Sequence, residues 1–119
     1  MPESRVIMDV RAGAGSSSVI DVHGQIDASA EHSLMDAYDN ATEAGSKTVV
    51  LNFDDLEYMD SRGIGLLVRL LVRANRQGQR VLASGLNDHY REVFEVTRLD
   101  EVIRVYPTES EALETLRAA

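Results

Sequence analysis

The sequence contains no cysteine, which removes disulfide frameworks, thiol nucleophiles and cysteine-ligated zinc together. It also lacks any apolar run approaching the roughly 20 residues needed to span a bilayer; the run ending at Val68 is broken by Arg69. The amino terminus, "MPESRVIMDVRAG", carries charge where a signal peptide needs its apolar stretch, so a soluble cytoplasmic protein with no membrane insertion is expected. No linker, repeat or low-complexity segment interrupts the 119 residues, a length that suits one domain over 1–119.

One sign of charge is locally missing. No aspartate or glutamate occurs from Ser61 to Asn87, while Arg62, Arg69, Arg73, Arg76 and Arg80 fall in that window. The rest of the chain holds seven basic against twenty acidic residues, and the net charge is −8. Direct nucleic-acid binding is therefore not expected, because the chain as a whole lacks a basic footprint for phosphates.

What is present alternates between two periods. Residues 4–11 and 17–23 read as strands joined in a hairpin around "AGAGSS". "DASAEHSLMDAYDNATEAG" offers an N-cap at Asp27 or Ser29, apolar positions at Leu34, Tyr38 and Ala41, and a stop at Gly45, so a helix follows. Residues 47–53, "KTVVLNF", read as a strand covered on both faces. A second helix over about 62–77 ends at Gly78. The strand "RVLAS", a helix in "NDHYREVFEVTRL", the strand "VIRVY" and a last helix capped by Thr108, with Glu111 three residues on, complete the order. Strand and helix thus alternate as β-β-α-β-α-β-α-β-α. That order implies an α/β domain: a mixed, mainly parallel sheet of about five strands with about four helices and an antiparallel edge from the amino-terminal hairpin.

The second helix opens on "YMDSRGIGLLVRL", residues 58–70, where Gly63 and Gly65 each cost about 0.5–1 kcal/mol relative to alanine. Ile64, Leu67, Val68, Leu71 and Asn75 share the spacing of one buried stripe. The opposite face collects Arg62, Leu66, Arg69 and Arg73, which reads either as solvated surface or as a basic docking patch anchored by Leu66. Ser61 reads as the N-cap of this helix. Its hydroxyl, beside uncovered glycine backbone, is also accessible to another protein's active site. A phosphate there would meet the helix dipole and free N–H groups, adding about −1.5 to −2 charges at the front of the basic face.

Enzyme chemistries find little to work with. A phospho-aspartate receiver is suggested by Asp54 and Asp55 but lacks the acid pair after the first strand and a late lysine, since the only lysine is Lys47. His23, His32 and His89 show neither paired metal spacing nor a G-x-S-x-G elbow around Ser61. "GIG" at 63–65 lacks the third glycine and the lysine of a phosphate-binding loop. No cofactor is expected and the chain reads as a non-enzyme.

"GQIDAS" at 24–29, "TVVLNFDDLEYMDSRGIGLL" at 48–67, Gly78 and "VTRLDEVIRVYPTESEAL" at 96–113 together resemble, over nearly the whole chain, the STAS domain of bacterial anti-sigma-factor antagonists. The resemblance implies a module that binds an anti-sigma factor with serine-kinase activity and so releases a sigma factor. It implies phosphorylation at Ser61 by that kinase, which abolishes binding, and a phosphatase that restores it. By position, Asp60 is the acid before the phosphoacceptor and Asp27 the acid near the binding surface. Asn52 stands where the family strand usually ends in aspartate, and its side chain is expected to keep bonding nearby backbone. Arg62 stands where a small residue is usual, which favours an alternative: a constitutive STAS scaffold, in a signalling assembly or beside a transport system, with no phosphoswitch.

Overall fold

The computed structural model describes residues 6–117. Strands β1 (Val6–Ala12) and β2 (Ser17–Ile26) form the antiparallel hairpin; residues 4 and 5 of the expected first strand lie outside the described residues. A 3-10 turn, Ala28–Ala30, leads into α1 (Glu31–Glu43), and Gly45 ends that helix with φ +86, a conformation glycine adopts without strain. Then come β3 (Thr48–Met59), α2 (Ser61–Arg76), β4 (Arg80–Ser84), α3 (Asp88–Val96), a second 3-10 turn Leu99–Glu101, β5 (Arg104–Tyr106) and α4 (Glu109–Arg117). The sheet order is β1-β2-β3-β4-β5, with every pair except the hairpin parallel, as the alternation of elements implies.

Both faces of the sheet are covered. Val49 and Leu51 of β3 point into the core formed with α1, α2 and α3, which includes Leu34, Tyr38, Leu67, Leu70 and Phe94. Val50 points the other way, onto Val19, Leu82 and Ala112 of α4. A central strand buried on both sides has no polar face to alternate with, hence its continuous apolar run. Thr108 caps α4, accepting the Glu111 N–H at 3.2 Å.

Strand β3 runs six residues beyond the expected end at Phe53. Its extension, "DDLEYM", is mostly exposed, and it is a strand because β2 pairs with it as far as Ile26 opposite Met59. β4 pairs only as far as Ser84 opposite Asn52, so the extension has a partner on one side. Two register shifts, between Asp21 and His23 and between Gly24 and Gln25, interrupt the pairing of β2 with β3 as bulges do. Cross-strand hydrogen bonds made the extension, and hydrophobic pattern could not announce it.

Candidate functional site

The paired ends Ile26 and Met59 place Asp27 and Asp60 side by side in sequence register at the carboxyl edge of the parallel sheet, each the residue that starts a helical segment. The Asp60 N–H donates to the Ile26 carbonyl at 3.3 Å, tying the two departures together. Tyr90 of α3 adds a second tie, its hydroxyl oxygen accepting the Met59 N–H at 3.0 Å. Tyr90 escaped the sequence reading because it acts through a backbone group on another element.

Asp60, and not Ser61, caps α2. Its carboxylate accepts the N–H groups of Arg62 and Gly63, both at 3.0 Å, while Ser61 is the first helical residue. An aspartate one position earlier competes better for those donors, because a charged acceptor suits the positive end of the helix. Released from capping, Ser61 is exposed, and Arg62 beside it is exposed as well. Two of the helix N–H groups expected to meet a phosphate are already occupied by a carboxylate. A phosphate on Ser61 would therefore stand against Asp60 with Arg62 as the adjacent cation.

The glycines of this turn differ in purpose. A Cβ on Gly63 would lie 2.9 Å from the Ile26 carbonyl carbon and press on its oxygen, so the close approach of α2 to the end of β2 requires glycine there. A Cβ on Gly65 would meet nothing within 4 Å. Gly65 is open surface one turn after Ser61.

The buried stripe of α2 is Gly63, Leu66, Leu67, Leu70 and Ala74, the expected stripe moved back by one residue. Leu66 is 5 % exposed and belongs to the core, so it is not an exposed docking anchor. The helix carries apolar residues around more than half its circumference, and the contact at Gly63 selects which of them turn inward. Val68, expected in the core, is instead 44 % exposed, and Val72 is 48 % exposed. Ser61, Gly65, Val68 and Val72 consequently form the outward stripe, at i, i+4, i+7 and i+11.

Two arginines of the basic face, Arg69 and Arg73, are partnered to acids of α1. Arg69 bonds Glu31 at 2.8 Å, and Arg73 pairs with Asp39 while its guanidinium lies 5.0 Å from the Tyr38 ring centre. Intrahelical spacing could not reveal these acids, since they come from another helix. Asp27 accepts both the N–H (2.9 Å) and the hydroxyl (2.5 Å) of Ser29. The structure thus gathers Asp27, Asp60, Ser61 and Arg62 at one edge, sets Arg69 and Arg73 along the α1–α2 seam, and removes Leu66 to the interior.

Farther from this edge, Asn52 accepts the Asp54 N–H at 3.2 Å, bonding nearby backbone as expected, and donates to Asp21 at 2.8 Å. Arg11 bridges Asp21 and Glu109; its hydrogen bond holds the Asp21 carboxyl below the usual aspartate value, against the opposing effect of burial. The histidines are engaged elsewhere: His23 with Asp55 at 2.9 Å, His32 with Asp36 at 3.0 Å, and His89 edge-on to Tyr90. Among the described residues no cluster of three or more metal-ligating side chains occurs, and no helix is long and apolar enough to cross a membrane.

The anti-sigma-B factor antagonist of Staphylococcus aureus (strain NCTC 8325 / PS 47) is 27% identical over 86 residues, 72% of this chain and 80% of that protein. The anti-sigma factor antagonist SpoIIAA in its unphosphorylated form superposes with a TM-score of 0.73 at 22% identity, covering 95% of this chain and 100% of that one. The Bacillus cell fate determinant SpoIIAA in its phosphorylated form gives 0.70 at 22%, covering 92% and 99%. At these identities the two structures establish the shared fold. The family model described as STAS domain matches residues 5–112, which include both aspartate-led departures and the whole sheet, and the chain therefore belongs to the STAS domain family.

Proposed function

We propose that this chain is an anti-sigma-factor antagonist: it docks on an anti-sigma factor through the edge formed by Asp27, Asp60, Ser61 and Arg62, and phosphorylation of Ser61 switches the docking off. In this reading residues 1–119 act as one cytoplasmic, non-enzymatic STAS domain. The anti-sigma factor is itself the serine kinase, and a phosphatase acting on phosphorylated Ser61 restores binding.

The observation that carries the reading is the division of labour at the head of α2. Asp60 does the capping, so the exposed Ser61 hydroxyl is available without opening the helix. A phosphate there would add about −1.5 to −2 charges beside an existing carboxylate, changing the surface far more than the fold. The names of the S. aureus relative and of the two SpoIIAA forms agree with this function. Arg69 and Arg73 keep a place at the margin of the docking edge, where a partner can compete for their ion pairs with α1.

Incubation with an anti-sigma-factor kinase and ATP, followed by intact-mass measurement, tests the switch: one added phosphate is expected, and none in Ser61→Ala. Arg62 together with the occupied N–H groups favours a second reading, a constitutive STAS scaffold without a phosphoswitch. Equal partner affinity of Ser61→Ala and Ser61→Asp would establish that second reading in place of the first.

A further inference from the structure

Seven and eleven residues beyond Ser61, about 10–17 Å along α2, Val68 and Val72 form an exposed apolar ridge between two grooves. The larger, of about 530 Å³, runs between α2 and the segment from Leu99 to Arg104, with Leu71 and Leu99 in its wall and Val102, 64 % exposed, on its rim. The smaller, of about 390 Å³, lies on the other flank of the ridge beside Arg69, Arg73 and Arg76. Arg80 and Arg104 line the larger groove. Arg76, Arg80 and Arg104 make no ion pair among the described residues, unlike Arg69 and Arg73. The acid lining the larger groove, Glu101, is 3.8 Å from Arg98.

We infer that this ridge and its grooves form a second docking surface, separate from the Ser61 edge, for an acidic amphipathic helix of a partner protein. Val68 and Val72 stand one turn apart, so side chains at i, i+3 and i+7 of an incoming helix straddle them and fill the grooves, while its acidic flanks meet the three uncommitted arginines. Charge complementarity selects this occupant. A second copy docking by the same patch would set arginine against arginine, since a two-fold interface brings each patch onto itself. The remaining surface of a chain with net charge −8 repels an acidic partner, so the patch is the place for one. The inference does not depend on whether Ser61 is phosphorylated.

The test uses the full chain, isotopically labelled, with a synthetic helical peptide carrying leucine at i, i+3 and i+7 and glutamate on both flanks. Amide shifts centred on Val68, Val72 and Val102 are expected, with affinity that falls as salt rises. Val72→Ser, at a half-exposed position the fold tolerates, and Arg104→Glu should each weaken binding about tenfold, a change of about 1.4 kcal/mol, while Ser61→Asp leaves it unchanged. The proposal is overturned by the absence of shifts up to about 1 mM peptide. It is equally overturned by identical binding of a peptide with glutamine for every glutamate. Concentration-dependent dimerisation abolished by Val72→Ser would assign the ridge to a second copy. Capture by phosphatidylglycerol vesicles with no peptide binding would assign it to a lipid surface.

Discussion

The carboxyl edge of the sheet carries two versions of one device. After β2, Asp27 heads a 3-10 turn and holds the nearby Ser29 by both its N–H and its hydroxyl. After β3, Asp60 heads α2 directly and spends its carboxylate on two backbone N–H groups, leaving Ser61 outside the network. The same residue types in neighbouring strands thus yield one serine absorbed into structure and one serine offered to solvent. Availability for chemistry follows from which donors the capping carboxylate takes.

The largest test of that contrast is functional. Ser61→Asp is expected to weaken binding to the anti-sigma factor by tenfold or more, about 1.4 kcal/mol upward, and Ser61→Ala to retain it, as measured by calorimetry. Removing the other hydroxyl, by Ser29→Ala, should leave phosphate incorporation at one per chain. Incorporation lost in Ser29→Ala and kept in Ser61→Ala would reverse the assignment.

Next in size is the approach of α2 to β2. Gly63→Ala forces a Cβ against the Ile26 carbonyl and is expected to destabilise by about 1–3 kcal/mol, whereas Gly65→Ala, facing open space, should stabilise by about 0.5–1 kcal/mol. Chemical denaturation of both variants reads the difference. Two changes of like sign would show that the first turn is not packed as described.

Cap removal comes third. Asp60→Ala and Asp27→Ala should each cost about 1 kcal/mol, the first by freeing the Arg62 and Gly63 N–H groups and the second by freeing the Ser29 N–H and hydroxyl. A larger loss for Asp27→Ala would make the 3-10 turn the stronger of the two anchors.

The smallest effect lies away from the edge, where Arg11 bridges Asp21 and Glu109. Because Arg11 depresses the Asp21 carboxyl in the folded state, the stabilisation is present above the unfolded aspartate value of about 3.9 and is lost as pH falls through the folded value. Arg11→Ala should flatten the acid side of the stability profile and leave Asp21 titrating nearer its ordinary value by NMR. An unchanged acid limb would remove the bridge as its cause.

Much of this was legible in the sequence for local reasons. The order of elements, the full burial of Leu34, Tyr38 and Ala41, the stop at Gly45 and the Thr108 cap all rest on spacing or on bonds within a few residues. The start of α2 is legible too, although local preference puts the cap on Ser61, one residue after Asp60. A serine and an aspartate in adjacent positions both satisfy the preference, and only backbone geometry, with Asp60 extended and Ser61 helical, separates them. The acids facing Arg69 and Arg73 were illegible because they lie more than thirty residues away, on α1.

The sequence by itself determined an alternating α/β chain with a serine at the head of its second helix, since periodicity and capping are encoded over a few residues. Tertiary structure decided the rotation of that helix, the length of β3 and the exposure of Val68 and Val72. Apolar side chains around most of α2 leave its orientation open, and it is settled by backbone contact at Gly63, by ion pairs to α1 and by strand pairing with β2, none of which has a local signature.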